Sequence, residues 1–389
     1  MKKKFSAIGK KFLFYLLFLF GNVLVANLIL SFFDPEQVMV KSYDSEYLFV
    51  MYPDREAEVV SEEYATLVKT NEFGFRQKLD PSASYDTILL GDSFSEGWGV
   101  AEEETFSSIA NQDLERGQLI RNLGIHGASP AFYALQLEKH ITKFRPSKVL
   151  IQLFDNDLDD NEKLTRFMEI ESDGKILGPK PNTTVRILGE TISNLVKEST
   201  LYRLGKRISA AISKQPNTIL YYKTGKAPKM EIISHEFSLK KYGSIQPLGN
   251  EISSKYNGQF EFYSNKNTEL WQKKLENNLI YLNQILEICR KNNVSLSLIY
   301  IPAKEFYAKD GITGEIINSS LSSKLEKNPH AKQINTFCRK NNLICYNTAE
   351  IFYSKNPNDV YFPYDAHWNS NGHRIFGKFL SDSLRKVYK

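Results

Sequence analysis

Cysteine is scarce in this 389-residue chain: Cys289, Cys338 and Cys345 are its only three, all in the last third. So small and odd a number excludes a framework of disulfides. None of the three has His or Cys neighbours at zinc-site spacing. Cys289 and Cys338 lie in helical patterns and Cys345 in an apolar, strand-like run. They are therefore expected to act as buried small hydrophobes, with one disulfide open to them in an oxidising compartment. Excess charge of one sign is also missing: 50 Lys and Arg face 45 Asp and Glu. Five of the lysines (2, 3, 4, 10 and 11) crowd the first eleven residues, so the rest is close to balanced and nucleic acid is not an expected partner. Internal repeats are absent, which excludes a solenoid.

Long apolar runs are missing as well, with one exception. Phe12–Phe33 carries no charge over 22 residues. As a helix it extends ~33 Å, enough for the hydrocarbon core of a bilayer. Lysines before it and Asp34 and Glu36 after it predict a cytoplasmic tail (1–11), an anchor (12–33) and a remainder outside the cytoplasm. The competing reading is a signal peptide cut after Ala26, but Leu24 stands where such a site prefers a small residue. Residues 34–84 form a juxtamembrane segment, in which Thr70–Arg76 has the look of a turn leading into the first core strand.

The chain is organised around the stretch from Tyr85 to Trp98, YDTILLGDSFSEGW. Thr87–Leu90 is an apolar run bounded by Gly91, a short buried strand. Ser93 follows it, ahead of a helix expected around 103–116. An open α/β sheet collects its ligands at the carboxyl ends of such strands. Taken alone, Gly-Asp-Ser is equally a strand-ending turn with Asp92 or Ser93 as a helix N-cap.

Alternation continues through an apolar piece at 119–123, a helix over 130–143 and the strand Lys148–Phe154. It resumes with a helix over 268–291, a strand over 294–301, a helix near 331–340 and a strand over 343–346. This predicts an α/β fold: a three-layer α/β/α sandwich on a roughly five-stranded parallel sheet, flavodoxin-like, preceded by one transmembrane helix. Residues 162–268 break the rhythm, with a helical piece near 185–213, and are expected to be an insertion or lid-like subdomain.

Four polar stretches then fall at strand ends: Ser93; Asn122–Ser129, with Gly124 and Gly127; Asp155–Asn161; and Tyr364–His373 before the closing helix. The acids of 155–161 do not form a calcium loop. The sixth position is Asp160 where Gly is needed, and the twelfth is Arg166 where Glu is needed. They are expected at a solvated rim and as helix caps. No metal and no cofactor is expected.

Together these stretches resemble the SGNH (GDSL-type) hydrolase and acyltransferase superfamily over roughly residues 85–160 and 270–389. The resemblance implies Ser93 as nucleophile, His367 as base and Asp365 as its orienter. It also implies an oxyanion hole from Ser93, Gly124 and Asn156. Phe154 stands where a glycine often precedes the oxyanion asparagine. Asp365-x-His367 replaces the usual Asp-x-x-His, a form nearer the polysaccharide O-acetyltransferase branch. In extended backbone i and i+2 share a side, so Asp365 can still reach His367. His126 and His373 are expected to be structural or substrate-adjacent.

The function implied is that of a membrane-anchored serine esterase or O-acyltransferase, with residues 85–389 as its domain. It would act on ester-linked acyl groups, acetyl foremost, of an extracytoplasmic glycan or lipid. The alternative is a non-catalytic domain that binds a cell-envelope glycan or a membrane partner through the same cleft.

Overall fold

The computed structural model describes residues 2–33, 41–61, 63–181, 199–213, 220–222, 268–303, 328–352, 357–362 and 367–387, with positions 196, 225, 355 and 365. Asp34, Glu36 and most of the expected insertion lie outside them. In chain order the helices are α1 (Lys2–Phe33), α2 (Ser93–Glu96), α3 (Phe106–Asp113), α4 (Pro130–Phe144), α5 (Asp157–Thr165) and α6 (Thr200–Ser213). They continue with α7 (Thr268–Lys291), α8 (Pro329–Asn341), α9 (Thr348–Phe352), α10 (Pro357–Val360) and α11 (Ser370–Val387). The strands are β1 (Lys41–Asp44), β2 (Leu48–Met51), β3 (Glu56–Val60), β4 (Ala65–Lys69), β5 (Thr87–Leu90) and β6 (Ile120–Asn122). After them come β7 (Lys148–Phe154), β8 (Met168–Ile170), β9 (Ile176–Pro179), β10 (Leu220–Tyr222), β11 (Ser295–Ile301) and β12 (Ile344–Asn347).

Five parallel strands form the central sheet in the order β12-β11-β7-β5-β6. Numbered within the sheet this is 2-1-3-4-5 read from β6, the flavodoxin-like order, so the expected fold is the one observed. All four residues of β5 are buried, as are the first six of β7. Near-continuous apolar strands of this kind need helices on both faces. Alternate side chains sort accordingly. Ile88, Leu90, Val149, Ile151, Leu298 and Tyr300 enter one core, with residues of α4, α7 and α8. Leu89, Leu150, Ile299 and Ile301 enter the other, with residues of α3, α9 and α11.

The segment before the sheet is built structure. β1 and β2 pair as an antiparallel hairpin, and β3 pairs with β4 on one side and β10 on the other. Tyr47, Leu48, Met51 and Phe75 from this segment are buried in the core shared with α4. The hairpin of β8 and β9 sends Met168 and Ile176 into the same core. Gln284 of α7 binds the Ile176 backbone at 2.9 and 2.7 Å.

In α1 the span Lys11–Ser31 has a mean hydropathy of 2.3 and no part of it is buried. Leu201 N–H of α6 donates to Asn27 Oδ1 of α1 at 3.2 Å. The cysteines depart from expectation in part. Cys338 at the end of α8 and Cys345 in β12 form a disulfide, while Cys289 is free and buried. Two separate elements bring that pair together, which neither element's own periodicity reveals.

His140 of α4 is buried among Tyr47, Phe75 and Phe144, and neither ring nitrogen has a hydrogen-bond partner among the described residues. Burial, with Lys139 and Lys143 adding to it, pushes its pKa down to about 3. An unfolded histidine takes up its proton near 6.5. Below that pH the unfolded chain therefore binds a proton that the folded chain refuses, and stability falls with pH. His140→Phe keeps the ring packing and removes this penalty. The denaturation midpoint of the detergent-solubilised variant should fall less between pH 7 and pH 4 than that of the wild type. Equal falls would show that His140 is not buried neutral.

Candidate active site

In the sheet, β6 lies on one side of β5 and β7 on the other, so the crevice at their carboxyl ends is the switch point where open α/β folds bind ligands. Ser93 leaves β5 into α2, and Asn156 follows β7 directly. The turn carrying Ser93 is held from several sides. Asp92 caps α2 by accepting from Phe94 N–H at 3.0 Å. Gln152 of β7 places one amide oxygen on Asp92 N–H (3.1 Å), Ser95 N–H (3.2 Å) and Ser95 Oγ (2.9 Å). Arg76 donates to the carbonyls of Gly97 and Val100, and Asn122 Nδ2 donates to Ser95 O at 2.5 Å.

Across this turn lies His367, 274 residues further on, with Nε2 2.7 Å from Ser93 Oγ. Its Nδ1 is bonded to Asp365 Oδ1. The tautomer that satisfies both contacts carries its proton on Nδ1, leaving Nε2 to accept from the serine. Trp368, fully buried, fixes the loop next to it. Phe362 N–H donates to His367 O at 2.8 Å, and Asn369 caps α11 through Asn371 and Gly372 N–H at 3.0 Å. Burial alone pushes the His367 imidazole towards its neutral form. The Asp365 charge and hydrogen bond, with Asp92 and Glu96 behind, outweigh this and raise its pKa above the ordinary value. Asp92 itself is pushed up to about 6, chiefly by burial.

Asn156 closes the turn after β7 and directs Nδ2 to Asp160 Oδ2 at 3.0 Å. An amide nitrogen has two hydrogens, so one remains for an oxyanion. Phe154 does not disturb this. Its ring packs on Phe94 with centroids 4.7 Å apart, and the backbone turns after it.

Gly124 is the third donor that the resemblance implies. Its N–H donates to Asn122 Oδ1 at 2.9 Å and is already engaged. A Cβ here would lie 2.6 Å from Ser95 Cβ and 2.7 Å from Glu96 N, so the glycine lets its loop press against α2. The Ser93 N–H has no partner among the described residues and Asn156 Nδ2 keeps one hydrogen unused, which makes these two the candidate oxyanion donors. The Asn-x-Gly spacing of 122–124 is the sequence signal for this side-chain-closed turn.

The acids after β7 correct a second expectation, because Asp155 and Asp157 are fully buried. Asp155 accepts from Tyr300 Oη at 2.5 Å and Ala303 N–H at 2.9 Å, tying β7 to the end of β11. Asp157 accepts from Phe154 N–H at 2.9 Å, and burial next to Asp92 raises its pKa well above the carboxylate range. Asp159 is partly buried and Asp160 buried, paired with Lys274 (2.5 Å) and Lys163 (2.6 Å).

His373 is structural, as expected. It is buried in α11, its Nδ1 accepts from Phe106 N–H at 3.2 Å, and burial lowers its pKa to about 3. His126 stands at the cleft, with its backbone N–H and Nδ1 on Glu96 at 2.5 and 2.7 Å and its ring against Trp98. Glu96 is buried, which raises its pKa, but His126 reverses this and brings it down to about 2. Sequence reasoning missed Glu96, Gln152, Arg76 and the juxtamembrane pair Glu63 and Tyr64, whose positions carry no periodicity or motif. Among the described residues no group of three His, Cys, Asp or Glu side chains converges as metal ligands would.

No protein-family model and no curated protein matches this chain. Solved structures do. A member of the lipolytic G-D-S-L family from Veillonella parvula shares 9% identity over 78% of this chain and 100% of its own, with a TM-score of 0.38. A psychrotrophic esterase from Pseudoalteromonas sp. shares 11% over 78% and 98% (TM-score 0.37). A carbohydrate acetylesterase family member from Sinorhizobium meliloti shares 9% over 78% and 98% (TM-score 0.35). At such identities and scores, this chain's own geometry carries the functional reading.

Replacing Asn156 by Ala removes one of the two candidate oxyanion donors. If the site is used as described, kcat should fall by about 10²–10³ with KM little changed. Unchanged turnover in a folded variant would show that Asn156 does not face the developing charge.

Proposed function

We propose that this chain is a serine-dependent esterase or O-acyltransferase of the SGNH type, anchored by α1. It acts on ester-linked acyl groups, acetyl foremost, of a glycan or lipid outside the cytoplasm. The observation that carries the reading is the line from Ser93 Oγ through His367 (2.7 Å) to Asp365.

A serine hydroxyl attacks an ester only when a base takes its proton. Here Ser93 Oγ attacks the acyl carbonyl while His367 Nε2 accepts the proton. Asp365 holds the Nδ1–H side and stabilises the imidazolium that forms. The carbonyl oxygen, now an anion, lies against Ser93 N–H and Asn156 Nδ2. Collapse breaks the ester bond, His367 returns the proton to the departing alcohol oxygen, and the acyl group stays on Ser93. Water or an acceptor hydroxyl then attacks, giving its proton to His367. Ser93 recovers it as the acid or the new ester leaves.

Three features support the location. The lysine-rich tail precedes the apolar span, α1 is long enough to cross a bilayer, and a disulfide joins Cys338 to Cys345. Disulfides persist in oxidising compartments. A binding-only domain would have no need of a serine hydroxyl aligned on an Asp-supported imidazole, so the alternative is disfavoured.

The test is acetate release from p-nitrophenyl acetate and from an acetylated oligosaccharide, with and without an unacetylated acceptor. Wild-type protein should release or transfer acetate, and Ser93→Ala should lose at least about 10³ in kcat. Retained turnover in Ser93→Ala would refute the reading. Acetylated acceptor as the main product would assign transfer, and free acetate would assign hydrolysis.

A further inference from the structure

The turn between β3 and β4 reaches the site from a segment with no sequence motif. Ser61 Oγ fixes it by accepting from Glu63 N–H (3.1 Å) and Tyr64 N–H (3.2 Å). Tyr64 is buried, and its phenol donates to Asp365 Oδ2 at 3.1 Å, across 301 residues of sequence. Glu63 Oε2 accepts from Asp365 N–H at 2.7 Å. The Tyr64 ring lies 4.9 Å from Phe362, whose backbone is tied to His367 O. Gly99, at φ +81, makes room for this, since a Cβ would stand 2.7 Å from the Phe362 ring and 3.1 Å from the Tyr64 ring.

Resting on the serine-esterase reading, we propose that Tyr64 is a positioning residue of that site. Its phenol holds one oxygen of Asp365 so that the other faces His367 Nδ1, which makes the β3–β4 turn part of the catalytic assembly.

An Asp-x-His segment is short, and Asp365 is nearly buried, its side chain only 5% exposed. A buried carboxylate oxygen without a donor is costly and free to rotate towards another. Tyr64 satisfies it and fixes the carboxylate plane. Burial, with the Asp365 charge adding to it, raises the Tyr64 pKa, so the phenol stays a donor throughout the working range. The groups facing His367 are Asp365 from its own loop, Asp92 and Glu96 from the nucleophile turn and neutral His373 from α11. Tyr64 faces Asp365 and Glu63. Withdrawing the phenol concentrates negative charge on the oxygen that faces His367, which favours the imidazolium.

The experiment compares full-length wild type and Tyr64→Phe. His367 is titrated by NMR with isotope-labelled histidine, and kcat/KM for p-nitrophenyl acetate is followed against pH. The His367 midpoint should rise by about half to one unit, and the acid limb of kcat/KM should move up with it. At the pH optimum kcat should fall about tenfold with KM unchanged, as for loss of a hydrogen bond to a charged group. A lower kcat with an unmoved midpoint would reduce Tyr64 to packing and overturn the proposal, as would no change at all. A shifted midpoint in a protein without serine-dependent turnover would uphold Tyr64's position while refuting the esterase reading. Should Tyr64→Phe not fold, Ser61→Ala loosens the turn that presents the same phenol. It should move the midpoint the same way by less, and no movement would overturn the proposal.

Discussion

The contact between Ser93 Oγ and His367 Nε2 sets the main constraint on this molecule. It joins the end of the first central strand to the loop before the last helix, and 274 residues lie between them. A 2.7 Å contact cannot be held by loops alone. Here β5 and β7 are clamped between two apolar layers, Gln152 bolts the serine turn to β7, and buried Trp368 locks the histidine loop into the core that also holds Phe94 of the serine turn. Changes that loosen either core therefore act on the site as well as on stability.

Electrostatics around the pair is one-sided. Asp92, Glu96 and Asp365 surround one imidazole, and each favours its charged form. Such an environment suits the base role proposed for His367, because an imidazolium formed there is met by charges already in place. The carboxylates are themselves accommodated in different ways. Asp92 accepts from the Phe94 N–H of α2, Glu96 is matched by His126, and Asp365 is held by Tyr64 and by its own backbone contact to Glu63. Placing three acids at one crevice thus requires partners from α2, the loop after β6 and the segment ahead of the sheet.

Much of the core was legible from residue order. β5, β7, α7 and β11 are runs whose apolar spacing matches one period, and the Gly-Asp-Ser and Asp-x-His stretches stand where strands and helices meet. The supporting partners were not legible. Tyr64 and Asp365 are 301 residues apart, and Gln152 and Ser95 are 57 apart, so no local pattern announces either pair. The run of acids at 155–160 misled because charge density in sequence resembles a solvated loop. Tyr300 and Ala303, which satisfy Asp155, belong to another strand's end. Gly124 was read for the donor on its nitrogen, whereas its lack of a side chain is what the close approach of α2 demands.

The central claim is that Ser93 is a nucleophile activated by His367. Its most direct measurement is covalent labelling by a fluorophosphonate, located by peptide mass spectrometry. The account predicts one phosphonate per chain, on Ser93, and labelling slowed by orders of magnitude in His367→Ala, with Ser95 and Ser107 unmodified. Failure of the folded wild type to label, or equal labelling rates with and without His367, would contradict it.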